Sequence, residues 1–387
     1  GEERLDLPDG ELRRVFDGGI VEGSLNLLAG EPGIGKSTLL LQLALRLGPQ
    51  TVFYVSGEES EKQIKMRAER LPFQNPNLFV YCETLLENIL AFAREIKPVL
   101  LILDSIQTVY TEDVDATPGS LAQVRECAVK ILRFAKESRT TVVLVGHVTK
   151  EGMIAGPKAL EHMVDAVLEF EGDKQYNYRI VRSVKNRFGR TPELGVYEMA
   201  HDGLREVANP SELFLTDAAP DAVGTVVGAT LQGARPILLE TQALVSDASF
   251  HYPQRSATGF DLRRMHMLLA VLEKRCGVKT GAKDVFVNVA GGLKTDDPAL
   301  DLAMACAIAS SYRDLPVDRK TVFAGEIGLS GEIRPVARAD VRLAEAQKLG
   351  FERFFLPAAA VKNLSSAGSS IRAVPVSKLG EALTLLF

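Results

Sequence analysis

Eight consecutive residues, GEPGIGKS from Gly30 to Ser37, carry the densest chemistry in this chain. The spacing G-x-x-x-x-G-K-[ST] is that of a phosphate-binding loop. It falls between an apolar run that reads as a strand and a periodic run that reads as a helix, the context such a loop requires. Glycines let backbone N–H groups converge on phosphate oxygens, and the helix N-terminus adds its positive end. Gly30, Glu31, Pro32, Gly33, Ile34, Gly35, Lys36, Ser37 and Thr38 are therefore the expected contacts of ATP. Lys36 reaches the β- and γ-phosphates, and Ser37 is expected to hold Mg2+.

Three further polar residues each end an apolar run. Asp104 closes VLLILD, where a carboxylate can order the metal's shell together with Ser37. Glu58 and Glu59 follow the strand-like TVFYVSG. One carboxylate beside a phosphate loop can orient attacking water, and Glu58, directly after the strand, is favoured as the base. The same two acids also suit a helix N-terminus. His147 ends TVVLVGH and is placed to sense the γ-phosphate and pass its state to the loop 148–160; a satisfied core histidine is the other reading. Lys185, Arg187 and Arg190 crowd the stretch SVKNRFGRT around a Phe and a Gly, an arrangement that asks for an anion.

These residues need a scaffold, and the pattern from about residue 20 to 200 supplies one. Apolar runs SLNLLAG, TVFYVSG, NLFVYC, VLLILDS and TVVLVGH alternate with helical patterns at about 36–48, 60–71, 85–96 and 120–137. Such alternation predicts βαβ units and a mostly parallel sheet covered by helices, with all-apolar strands buried on both faces. After VLEF and YRIVRSVKN the alternation weakens, and the sheet is expected to end in antiparallel strands. The polar, Pro-containing ANPSELF marks a boundary, giving expected domains at 1–208 and 209–387, the second again α/β.

Composition sets outer limits. With 46% hydrophobic residues the chain can build large cores. A net charge of -5 gives no global nucleic-acid signature, so any such contact must be local. The four cysteines lie far apart and suggest reduced thiols, no apolar run is of bilayer length, and no signal peptide is expected. A cytoplasmic location and no membrane partner are expected.

Together, DGGIVEGS, GEPGIGKSTLLLQ, YVSGEES, LILDSIQT, VKNRFG and NVAGGLK resemble the RecA/DnaB class of motor ATPases, and within it the bacterial RadA (Sms) family of DNA-repair and recombination proteins, over almost the whole chain. KNRFG is close to diagnostic. The resemblance implies a homo-oligomeric ring, a hexamer, with ATP between subunits. Lys185 and Arg187 match the positions that reach a neighbour's γ-phosphate; a clamp on the DNA backbone is the alternative, and Arg190 is the DNA candidate of the three. Loops 111–120 and 148–160 would face a channel holding single-stranded DNA, with Lys150 and Lys158 as phosphate contacts. The family's N-terminal four-cysteine zinc finger has no counterpart here, so zinc is not expected.

KTDDPALDLAMACAIASS and AGEIGLSGEIRPV look like the Lon protease domain, but Ala299 stands at the nucleophile's position and Asp340 at the lysine's. A methyl group cannot attack a carbonyl, so a Lon-like fold without peptidase activity is expected. Across 251–283 seven Lys/Arg face only Asp261 and Glu273, and Arg255, Arg263 and Arg264 are candidate DNA contacts; a solvated helix face reads equally well. The sequence thus points to a DNA-stimulated, helicase-like ATP hydrolase that extends or migrates branched DNA in homologous recombination, possible partners being single-stranded and branched DNA and a RecA-type recombinase. A nucleotide-gated scaffold and a strand-pairing filament are its rivals.

Overall fold

A computed structural model describes residues 1–149, 156–172, 175–216, 219–364 and 370–387. The chain divides into two units, Gly1–Ala208 and Asn209–Phe387.

The strands of the first unit are β1 (Arg4–Leu5), β2 (Ile20–Val21), β3 (Leu25–Gly30), β4 (Val52–Ser56), β5 (Leu78–Cys82), β6 (Leu100–Asp104), β7 (Thr141–His147), β8 (Ala166–Glu171), β9 (Tyr178–Asn186), β10 (Leu194–Ala200) and β11 (Gly203–Glu206). Its α-helices are α1 (Gly10–Val15), α2 (Lys36–Arg46), α3 (Glu61–Arg70), α4 (Leu86–Ile96) and α5 (Leu121–Ser138). Nine strands form one sheet in the order β11-β10-β9-β8-β3-β7-β6-β4-β5. The six from β8 to β5 run parallel, and β9 to β11 complete it antiparallel.

The all-apolar runs become central strands because both faces are covered. Leu28, Ile102 and Val143 pack with α2 on one face, and Leu27, Leu101 and Leu144 with α4 and α5 on the other. Each such side chain removed from water contributes about 1.5–3 kcal/mol. A parallel sheet brings the C-terminal ends of its strands to one edge, where ligands of such folds sit. Here that edge carries Gly30, His147, Asp104 and Ser56 on the adjacent strands β3, β7, β6 and β4. Helix α2 ends at Arg46, two residues before the expected Gly48.

The second unit holds α6 (Ser211–Phe214), β12 (Thr225–Gln232), β13 (Arg235–Asp247), β14 (Arg255–Thr258), α7 (Leu262–Cys276), β15 (Lys283–Val289), α8 (Asp301–Arg313), β16 (Thr321–Phe323), β17 (Glu326–Ile327), β18 (Ile333–Arg334), α9 (Ala339–Lys348), β19 (Arg353–Pro357), α10 (Ala358–Val361), β20 (Arg372–Val376) and α11 (Leu379–Leu386). Its main sheet runs β14-β15-β13-β12-β16-β19-β20, mixed in direction. Helix α8 is buried from Asp301 through Ser310, so its apolar sequence is core. It starts after a 3₁₀ turn at Pro298–Leu300, later than the run at about 297 suggested.

Candidate ATP site

The loop after β3 is shaped by close neighbours. A Cβ at Gly30 would lie 2.6 Å from the Phe170 carbonyl oxygen on β8, and Gly35 has φ +115°, so side chains are excluded at both positions. Glu31, Pro32 and Gly33 are exposed at the loop tip, Ile34 is buried beneath it, and Ser37 and Thr38 are half-buried in the first turn of α2. Lys36, 3% exposed, folds back over the loop, donating to the carbonyls of Gly30 at 2.5 Å and Glu31 at 2.8 Å. Burial pulls its ammonium down to about 8, against the opposing charges of Asp104, Glu58 and Glu31.

Asp104, ending β6, is also buried. Ser37 Oγ donates to its Oδ2, and the Tyr54 hydroxyl donates to the same oxygen at 3.0 Å. Its Oδ1 is buried and has no hydrogen-bond partner among the described residues. Burial raises this carboxyl above the usual range, and the two hydroxyls draw it back. An orphaned carboxylate oxygen beside the Ser37 hydroxyl is a hard oxygen donor set, which suits Mg2+ shared with nucleotide phosphates.

The turn after β4 separates the two adjacent glutamates. Ser56 Oγ accepts from both Glu58 and Glu59 backbone N–H groups. Glu58 Oε1 then accepts from Ser105 Oγ at 3.0 Å and sits 2.8 Å from His147 Nε2. The hydrogen bond from His147 is the largest influence holding Glu58 below its ordinary value. Glu59 turns away to pair with Arg67 of α3. Gln107 fixes the His147 backbone, accepting from its N–H and donating to its carbonyl. His147 Nδ1 is buried without a hydrogen-bond partner among the described residues. Single donor atoms of Glu58, Asp104 and His147 lie within 4.8 Å of one another, so the ends of three strands converge on one small volume. A cavity of about 280 Å³ lies beside the phosphate loop, lined by Gly30, Glu31, Ile34, Val148, Glu169 and Phe170 among others.

The KNRFG cations lie elsewhere. Lys185 on β9 is level with Val167 of β8, whereas Phe170, three residues further along β8, is level with Gly30. At about 3.3 Å per residue that is roughly 10 Å back from the phosphate edge. Lys185 Nζ donates to the carbonyls of Glu161 at 2.6 Å and Val164 at 2.9 Å. Arg187 pairs at 3.0 Å with Asp165, a fully buried carboxylate that also accepts from Lys136 and from the Leu25 N–H. Gly189 packs on Asp17, and the Phe188 carbonyl accepts from Arg4. Arg190 is exposed, its backbone N–H donating to Asp17.

The expected DNA contacts divide sharply. Lys158 is exposed in a 3₁₀ turn at Pro157–Leu160, and Lys150 lies outside the described residues. In the second unit, two of the three arginines have partners within the protein. Arg264 is committed to Asp301, whose side chain is fully buried, and Arg255 donates to the carbonyls of Gln254, Thr280 and Lys283. Of that trio Arg263 has the exposed side chain. Ala299 is buried, and Asp340 is exposed and paired with Arg338. Nearby chemistry is instead a buried ion pair, Arg342 with Asp297 at 2.7 Å.

Sequence reading passed over Tyr54, Ser105, Asp165 and Arg179. Tyr54 looks like one more aromatic in TVFYVS. Arg179, buried on β9, donates to the Ile34 carbonyl at 2.9 Å and so fastens β9 to the phosphate loop. The Ser directly following Asp104 was the one available hint for Ser105, because it must leave the same strand end. Among the described residues no helix is long and apolar enough to cross a membrane.

A family model described as an AAA domain matches residues 2–153, and one described as subunit ChlI of Mg-chelatase matches residues 260–360. A KaiC-like protein from Pyrococcus horikoshii covers 54% of this chain and all of its own at 18% identity and TM-score 0.45. Among curated proteins, the DNA repair protein RadA of Halalkalibacterium halodurans is 52% identical over 386 residues, covering 99% of this chain and 84% of that protein. The proteins of the same name from Bacillus subtilis and Listeria monocytogenes are 49% and 50% identical, each over 99% of this chain and 84% of theirs. With its α/β, RecA-like phosphate-loop ATPase core and this identity across nearly its full length, the chain belongs to the RadA family of DNA-repair proteins.

Proposed function

We propose that this chain is a DNA-stimulated ATP hydrolase that works as a ring, with six subunits, moving along single-stranded DNA and extending or migrating branched recombination intermediates. One observation carries the reading. The edge of the first unit gathers Lys36, Ser37, Asp104, Glu58 and His147, while the family's signature cations Lys185 and Arg187 lie about 10 Å or more back along the strand direction, on a strand separated from β3 by β8. A phosphoryl-transfer site needs fixed cations around the γ-phosphate, and here a second subunit would supply them, coupling hydrolysis to assembly.

In this scheme Lys36 and the loop amides bind the phosphates, and Glu58, aligned by Ser105 and His147, accepts a proton from the attacking water. Mg2+, held by Ser37 and Asp104, would supply charge neutralisation on the phosphates. Lys158, Arg190 and Arg263 are the exposed cations offered to DNA phosphates, and a RecA-type recombinase is a candidate partner. The second unit, with Ala299 where a protease would need its nucleophile, contributes no peptidase chemistry.

The test compares ATP turnover with and without single-stranded DNA for the parent and Lys185→Ala. DNA stimulation of the parent, and lost turnover with retained ATP binding in the variant, is the expected result. Full turnover with weakened DNA binding in Lys185→Ala would make KNRFG a DNA clamp. A nucleotide-gated scaffold predicts ATP-dependent DNA binding with no directional displacement of a branch.

A further inference from the structure

Asp104 is the carboxylate that the proposed metal needs, and its two oxygens are treated very differently. Oδ2 accepts from two hydroxyls, those of Ser37 and Tyr54, whereas Oδ1 is buried and has no hydrogen-bond partner among the described residues. The Ser37 hydroxyl belongs to the phosphate loop and is the one a nucleotide-bound metal takes up. That leaves the tyrosine as the donor that can stay in place through binding and turnover.

Tyr54 is built for constancy. It is 1% exposed in the middle of β4, a strand buried along its whole length, and it belongs to the core that packs α2 against the sheet. A tyrosine ring fixed by packing has little freedom left, so the direction of its hydroxyl is set by the fold. We propose that Tyr54 is a positioning residue for the metal carboxylate: by holding Oδ2 it fixes the rotation of Asp104 so that Oδ1 faces the metal. The inference rests on the ATP–Mg2+ reading above. Partners of this kind, behind a metal ligand, typically change metal affinity ten- to a hundred-fold when removed.

Tyr54→Phe deletes one oxygen and keeps the ring. Three quantities are measured on the full chain: ADP affinity without metal, Mn2+ affinity of the ADP complex by paramagnetic resonance, and the melting temperature. The expected result is unchanged metal-free ADP binding, a melting temperature within a few degrees of the parent, and Mn2+ binding weakened about ten- to a hundred-fold. The Mg2+ midpoint for ATP turnover should rise by a similar factor and the rate recover at saturating Mg2+. Equal Mn2+ affinity in variant and parent overturns the proposal. So does an equal loss of metal-free ADP binding, which would make Tyr54 a general support of the site. A parent whose ADP complex binds no Mn2+ at all removes the metal reading itself, and the inference with it.

Discussion

Lys36 offers a prediction that reads the charge state of the site before any turnover occurs. Its ammonium is buried and brought down to about 8 in the free protein. A polyphosphate placed against it restores the charged form, so nucleotide binding must draw a proton from solvent whenever the lysine is neutral beforehand. With a value of about 8, roughly half a proton is taken up per ADP bound at pH 8 and about nine tenths at pH 9. The same linkage makes ADP binding about five-fold weaker at pH 9 than at pH 8. Calorimetric titration without metal, repeated in buffers of different ionisation enthalpy, gives the proton count directly, because ADP phosphates are already fully ionised at these pH values. Lys36→Arg, whose guanidinium does not titrate here, should show no uptake in whatever binding it retains. Zero uptake by the parent at both pH values, with constant affinity, would refute the reasoning. The contacts to the Gly30 and Glu31 carbonyls would then be enough to keep the ammonium charged.

Other outcomes follow from the same geometry. His147→Ala removes the main interaction that depresses Glu58, so Glu58 protonates at higher pH and the acidic limb of the pH–rate profile moves upward; an unmoved limb would show that Glu58 does not govern it. Arg264→Ala strands the buried Asp301 and should destabilise the second unit by roughly 3 kcal/mol, measured by denaturant unfolding. That loss should shrink as pH falls, because the stranded carboxyl becomes neutral. Arg263→Ala should leave stability unchanged and weaken DNA binding with a shallower salt dependence.

Much of the candidate site's edge was legible because its polar residues interrupt strong patterns. Asp104 and His147 each end a run of apolar residues too uniform to be anything but a buried strand, and the polar exception marks the strand's end. Glu58 was separable from Glu59 only by its place after the strand; Arg67, eight residues beyond Glu59 on α3, is what pulls the second glutamate aside. Tyr54 was hidden because a core aromatic and a functional one look alike until the hydroxyl's partner, 50 residues away, is known. The partners of the second unit's arginines were hidden for the same reason. Counting charge along the chain credits Arg264 to a patch, but its partner Asp301 lies 37 residues further on. Charge proximity in sequence reports on a surface only when no distant partner intervenes.

Strand β9 joins two places that the chemistry keeps apart. Near one end Arg179 grips the carbonyl of Ile34, and toward the other stand Lys185 and Arg187. The interval from Arg179 to Lys185 spans about 20 Å of backbone, paired with β10 up to Arg182 and with β8 from Ile180 onward, with a register shift beside Lys185. Ladder pairing resists sliding over its length, and the register shift beside Lys185 is where this strand bends. Through the Arg179 contact, the phosphate loop and the KNRFG cations are joined by one strand. In the proposed ring each subunit would thus carry its own link between one pocket and the cations offered to the next.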